Sequence, residues 1–168
     1  METAITALIV IGILILAVLG LSEHSLTAQA TLAEASRLLQ ERAGERARTD
    51  LTPLAATTTL LGDYVQVTLK NSGDTKLADF DQWDVILQYT DDLGGYHVAW
   101  YAYPTDWTQQ LFLTATPPTA EVFESGILNP GEEIVLQVRV SPNVGTGTTN
   151  LATVGTPNGI TATAVFTR

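Results

Sequence analysis

The side chains best equipped for chemistry in this sequence are acids. Asp79, Asp81 and Asp84 fall within six residues, and Asp91 and Asp92 follow beyond the next apolar run. Carboxylates gathered around one strand are the hard oxygen donors that Ca²⁺ takes. The spacing is not that of an EF-hand loop, which requires a glycine at its sixth position and a glutamate at its twelfth. Solvated loop acids are the plainer reading, and a cation held here would stiffen the chain rather than catalyse. The two histidines, His24 and His97, stand in different segments, whereas a zinc site needs three or four ligands. There is no cysteine, and so no thiolate ligand, cysteine nucleophile or disulfide. No phosphate-binding loop, G-x-S-x-G elbow or H-E-x-x-H helix occurs, and Ser125-Gly126 lacks the preceding glycine an elbow needs. The residues therefore point away from an enzyme and imply no cofactor.

A second cluster is aromatic: Tyr96, Trp100, Tyr101, Tyr103 and Trp107. Alternation along a strand puts Tyr96, Val98 and Trp100 on one face and His97, Ala99, Tyr101 and Tyr103 on the other. One face is expected in the core. The other suits a subunit contact or a glycan-binding surface, with core plus subunit packing the preferred reading. No asparagine sits in an N-x-S/T sequon, while the threonines at 57–59 and 146–149 leave O-linked sugars open.

Two kinds of element must position these groups. From Thr3 to Ser22 the chain carries no charge over 20 residues, which as a helix covers about 30 Å, the thickness of a bilayer's hydrocarbon. The run is apolar all round, unlike a surface helix of a soluble domain. It has neither the basic start nor the small-residue cleavage site of a secretory signal. It reads as an uncleaved anchor, or as the start of a mature chain whose short basic leader has been removed. Residues 23–49 contain no proline and are rich in Ala, Leu, Glu, Gln and Arg, so the helix is expected to continue until Thr52-Pro53 stops it.

Beyond Pro53 the period changes from 3.6 to 2. Strands are expected at 64–69, 83–89, 96–103, 107–114 and 134–140, with turns at Asn71-Ser72-Gly73-Asp74 and Asn129-Pro130-Gly131-Glu132. Asn158-Gly159 between two further apolar-alternating runs predicts a hairpin. The fold class is α+β: a long N-terminal hydrophobic helix (residues 1–52) followed by an immunoglobulin-like antiparallel β-sandwich head (residues 53–168). The net charge is −10, and residues 51–168 hold twelve acids against four bases. Such a head repels nucleic-acid phosphates and suits a solvated outer surface.

A charge-free N-terminal helix running into a helical stem and then a β-sandwich resembles the type IV pilin superfamily, and within it the archaellins, subunits of the archaeal flagellum. The stretch Val67-Thr68-Leu69-Lys70-Asn71-Ser72-Gly73-Asp74-Thr75-Lys76-Leu77, with Asp79-Phe80 and Trp83-Asp84-Val85 after it, is similar to the N-x-G and strand pattern of archaellum-type sandwiches. The turn Leu128-Asn129-Pro130-Gly131-Glu132 is similar to theirs as well. Pilins usually carry glutamate at the fifth mature position. Ile5 stands there in this chain, a departure that favours archaellins.

The resemblance implies a major subunit of an extracellular helical filament, a homopolymer that assembles through the N-terminal helix and serves swimming motility. Its core would be Ile5, Leu8, Ile9, Ile11, Gly12, Leu14, Ile15, Val18, Leu19 and Leu26. It also implies residence in the cytoplasmic membrane before assembly, a prepilin-type peptidase that removes a leader to leave Met1 as the mature start, and a cytoplasmic assembly ATPase with its platform. The alternatives are an anchored accessory or stator protein of the same machine, or an anchored sandwich module for adhesion.

Overall fold

The structure, a computed structural model, describes residues 2–115 and 117–168, leaving aside the side chains at positions 2, 4, 6, 21–26 and 115. The chain forms two compact units, residues 1–43 and residues 44–168.

Helix α1 spans Glu2–Arg48. Its sequence has no proline and is built from good helix formers, and Arg37 and Glu41 pair along it at 3.1 Å. It ends before Pro53 rather than at it. The Thr49 amide donates to the Arg46 carbonyl and the Thr49 hydroxyl to the Glu45 carbonyl, and a strand begins at Leu51. Among the described residues no helix is long and apolar enough to cross a membrane. The bilayer span expected over Thr3–Ser22 is therefore not supported. His24 and Leu26 lie outside the described side chains.

The second unit is built from strands β1 (Leu51–Thr58), β2 (Tyr64–Asn71), β3 (Asp84–Thr90), β4 (Tyr96–Tyr101), β5 (Trp107–Ala115), β6 (Pro118–Ala120), β7 (Glu133–Arg139), β8 (Thr149–Gly155) and β9 (Thr161–Thr167). They form two antiparallel sheets, ordered β1-β2-β7-β5-β6 and β4-β3-β8-β9. The period of two explains the core. Val65, Val67 and Leu69 of β2 and Ile134, Leu136 and Val138 of β7 are fully buried, and Val85 and Leu87 of β3 meet them from the other sheet. Trp83, Trp107, Tyr89 and Phe166 fill the volume between. Each fully buried aliphatic side chain contributes roughly 1.5–3 kcal/mol.

Every strand expected from the sequence is present to within a few residues, although β4 stops at Tyr101. Two strands were not expected. Strand β1 contains Pro53, which cannot donate to a ladder, and the chain accommodates it on a sheet edge with a register shift between Pro53 and Ala55. Strand β6 is three residues long. The expected Asn158-Gly159 hairpin forms as a wider loop, because Gly155 pairs with Thr161. The Gly159 amide donates to the Thr156 carbonyl across Pro157-Asn158, and Gly159 takes φ +81°. Pro157 presets the first corner of that turn, and the glycine supplies the left-handed residue that returns the chain to register.

Candidate assembly surfaces

The five acids do not converge. Among the described residues no group of three or more His, Asp or Glu side chains is arranged to hold a metal. Asp79 adopts a left-handed backbone (φ 52°) at the start of a short 3-10 helix, Phe80–Gln82, and Asp81 is exposed on that helix. Asp84 accepts the indole N–H of Trp100 at 2.8 Å. Asp91 organises the β3–β4 turn: Oδ1 accepts the amides of Leu93 and Gly95 at 2.8 and 2.7 Å, and Oδ2 lies 2.7 Å from His97 Nε2. The His97 contact, then the Gly95 amide, hold its carboxyl below the usual range. Asp92 is held below that range by Arg168, 2.9 Å away, and by the Thr146 amide. Asp91 and Asp92 thus act as braces for turns.

Arg168 is a brace that the sequence did not advertise. Its guanidinium reaches the carbonyls of Leu60 and Val144 as well as Asp92, tying three loops together at the far end of β2. Leu60 and Leu93 project from those loops, 95% and 97% exposed.

The other end of β2 is where α1 enters the second unit. A helix leaves its last carbonyls without partners; here a turn of the sandwich takes one and Thr49, just past the helix, takes others. The Asp74 amide takes the Arg48 carbonyl at 2.7 Å, and the Thr49 hydroxyl takes that of Glu45 at 2.8 Å. The Thr49 hydroxyl in turn accepts Asn158 Nδ2 at 2.7 Å, so the β8–β9 loop is tied to the end of the helix. The amides of Ser72 and Gly73 both reach the Asp50 carbonyl. Gly73 packs so tightly here that a Cβ would collide with the Arg48 carbonyl and the Asp50 amide.

Asn71 anchors the turn from within. It is fully buried. Nδ2 donates to the carbonyls of Thr75 and Leu128 at 2.8 and 3.0 Å, and Oδ1 accepts the Gly73 amide. Its backbone amide bonds the Glu132 carbonyl, and its carbonyl accepts the Gly131 amide. The two turns quoted above for their resemblance, Asn71-Ser72-Gly73 and Leu128–Glu132, are thus halves of one junction. Thr49, Asn158 and their long-range bond were not foreseen, because nothing local in sequence signals a contact 109 positions apart.

Two apolar surfaces remain uncovered. Along α1, Ile5, Leu8, Ile9, Ile11, Leu14, Ile15, Val18 and Leu19 are 55–74% exposed. Ile11, Leu14, Ile15, Val18 and Leu19 line a shallow apolar groove of about 290 Å³, at the spacing of one helical face. Around Gly12 and Gly20, a Cβ would meet nothing within 4 Å. The second surface is β4. Its His97, Ala99 and Tyr101 turn inward, and the His97 ring stacks on buried Tyr89 with centroids 5.2 Å apart. Tyr96, Val98 and Trp100 turn outward, 65%, 60% and 59% exposed. The facing expected from alternation is the one observed.

No family model and no curated protein matches the chain. Solved structures do resemble it. The archaeal flagellum of Methanospirillum hungatei strain JF1 superposes with a TM-score of 0.61, at 15% identity, over 96% of this chain and 90% of that one. The archaellum periplasmic stator protein FlaG from Sulfolobus acidocaldarius superposes with a TM-score of 0.50, at 22% identity, over 70% of this chain and 99% of that one. At these identities the likeness is one of fold. A match over 96% of the chain takes in residues of both the helix and the sheets.

Proposed function

We propose that the chain is a non-enzymatic structural component of an archaellum-type machine, with its sandwich at the cell surface and α1 packed among other apolar helices. The carrying observation is the pairing of a complete sandwich core with a helix whose aliphatic side chains are exposed. The strand order, β1-β2-β7-β5 facing β4-β3-β8-β9, follows the immunoglobulin plan. The role favoured is that of an accessory or stator protein, supported by the likeness that spans 99% of the stator protein's chain.

The filament-subunit role is the second reading, supported by the 96% coverage of this chain in the flagellum likeness. In that role copies of α1 bury one another in a common core. Covering some tens of Å² on each apolar residue of the helix would contribute on the order of 20 kcal/mol per subunit before entropic costs. Contacts that repeat without closing give a filament. Leader removal by a prepilin-type peptidase and insertion by a cytoplasmic ATPase belong to this family of readings. The bilayer stage of α1 does not form part of the proposal.

Fractionation separates the two roles. Filaments are sheared from cells carrying the tagged chain, and filaments and cell envelopes are probed separately. The accessory role predicts the chain in the envelope and its absence from filaments. A chain abundant along the filaments overturns that role in favour of the subunit. A deletion strain that builds normal filaments and swims normally overturns both.

A further inference from the structure

Open sheets end in edge strands, whose free N–H and C=O groups invite pairing with another chain, and proteins usually obstruct them. Three of the four edges here are obstructed. Strand β1 carries Pro53 and a register shift. Strand β6 is three residues long, opens on Pro118 and is reached through a second irregularity, between Phe112 and Thr114. Strand β9 lies alongside β1. Strand β4 has none of these devices. It pairs with β3 in unbroken register from Tyr96 to Tyr101, contains no proline, lysine, arginine or acid, and has no strand on its other side among the described residues.

The geometry points to β4 as a strand-pairing edge whose occupant is β4 of a second copy of this chain, antiparallel about a two-fold axis at Val98. The Asp91 amide donates to the Gly95 carbonyl, which fixes the alternation of the β3–β4 ladder. That alternation turns the N–H and C=O groups of Tyr96, Val98 and Trp100 toward the open edge. A two-fold contact requires a self-complementary surface, and this strand is close to palindromic in character: an aromatic on each side of Val98. Pairing Val98 with its own copy sets Tyr96 opposite Trp100, on the exposed face, with every outward backbone group bonded. Both rings already lean over β3, the Tyr96 hydroxyl on Gln88 and the Trp100 indole on Asp84, and so leave the edge clear. The chain carries a net charge of −10. An edge without charge is where two such chains meet with least repulsion. The pairing would join two four-stranded sheets into one, in either role proposed above.

The test uses single cysteines, which are unique probes because the chain has none. Val98→Cys and Val165→Cys are introduced separately into the full-length chain, purified in excess detergent and mildly oxidised. Both positions are about 60% exposed. Only residue 98 is placed against its own copy, at the roughly 5.5 Å Cα separation of a hydrogen-bonded pair, within disulfide range. Val98→Cys should form a covalent dimer about tenfold faster than Val165→Cys, and adding Trp100→Lys should remove that advantage by placing a charge on the edge. Tyr96→Lys serves where the Trp100 variant alters thermal unfolding. Equal rates for the two cysteines, as association through α1 alone would give, overturn the proposal. So does the absence of a Val98→Cys dimer, or an advantage that survives both lysines.

Discussion

The same residue types occupy opposite environments in the two units. Leu136, Ile134, Val65 and Val67 of the sandwich are fully buried, whereas Leu14, Ile15, Val18 and Leu19 of α1 are more than half exposed. Aliphatic content alone therefore does not specify a finished structure. In the sandwich, a period of two directs every second side chain to a shared interior. In the first half of α1, apolar residues occur on all sides, so no packing against one neighbour covers them. One unit holds its stabilising contacts within itself. The other leaves its described aliphatic side chains exposed.

The sharpest way to break that contrast is Leu14→Arg. It should abolish incorporation into the native assembly, read by fractionation, while leaving the unfolding transition of the sandwich unchanged. Loss of the transition would show that the helix residue belongs to the head's core. The converse substitution, Leu136→Ala, should lower sandwich stability by about 2–5 kcal/mol in denaturant unfolding. A shift well under 1 kcal/mol would mean that the interior collapses freely around the deletion. At the junction, Asn71→Ala removes three side-chain bonds, to the Thr75 and Leu128 carbonyls and from the Gly73 amide, and a loss of about 2 kcal/mol is expected from the same measurement.

The smallest effect concerns acid. The carboxyls of Asp91 and Asp92 are held below the ordinary range by His97, Arg168 and turn amides. Their contribution is complete above that range and is lost as pH falls through the folded-state values. Asp91→Asn should therefore flatten the decline in melting temperature below about pH 4 and leave a constant deficit at neutral pH. Parallel curves for the two proteins would contradict the assigned bracing role.

Period-two alternation identified β2, β3, β4, β5 and β7, and it separated the residues of the two faces of β4 without saying which face is buried. Strand β1 escaped notice, since Pro53 marks the end of a helix as readily as an edge strand. The acids act separately rather than as a group. Asp84 and Asp91 sit at opposite ends of β3, and each is taken by a different neighbour. The junction was half visible: both turns were recognisable as turns, but their mutual contact depends on Asn71 reaching Leu128, 57 positions away.

The long-range ties have a consequence for timing. Strand β1 lies beside β9, Thr49 is bonded to Asn158, and Leu60 is held by Arg168. The sandwich is thus closed by its last residues. At translation rates of about 5–20 residues per second, α1 is synthesised on the order of ten seconds before those residues exist. A nascent chain therefore presents this apolar segment before its completed sandwich. Whatever shelters α1 in the cell must engage it while the rest is still being made.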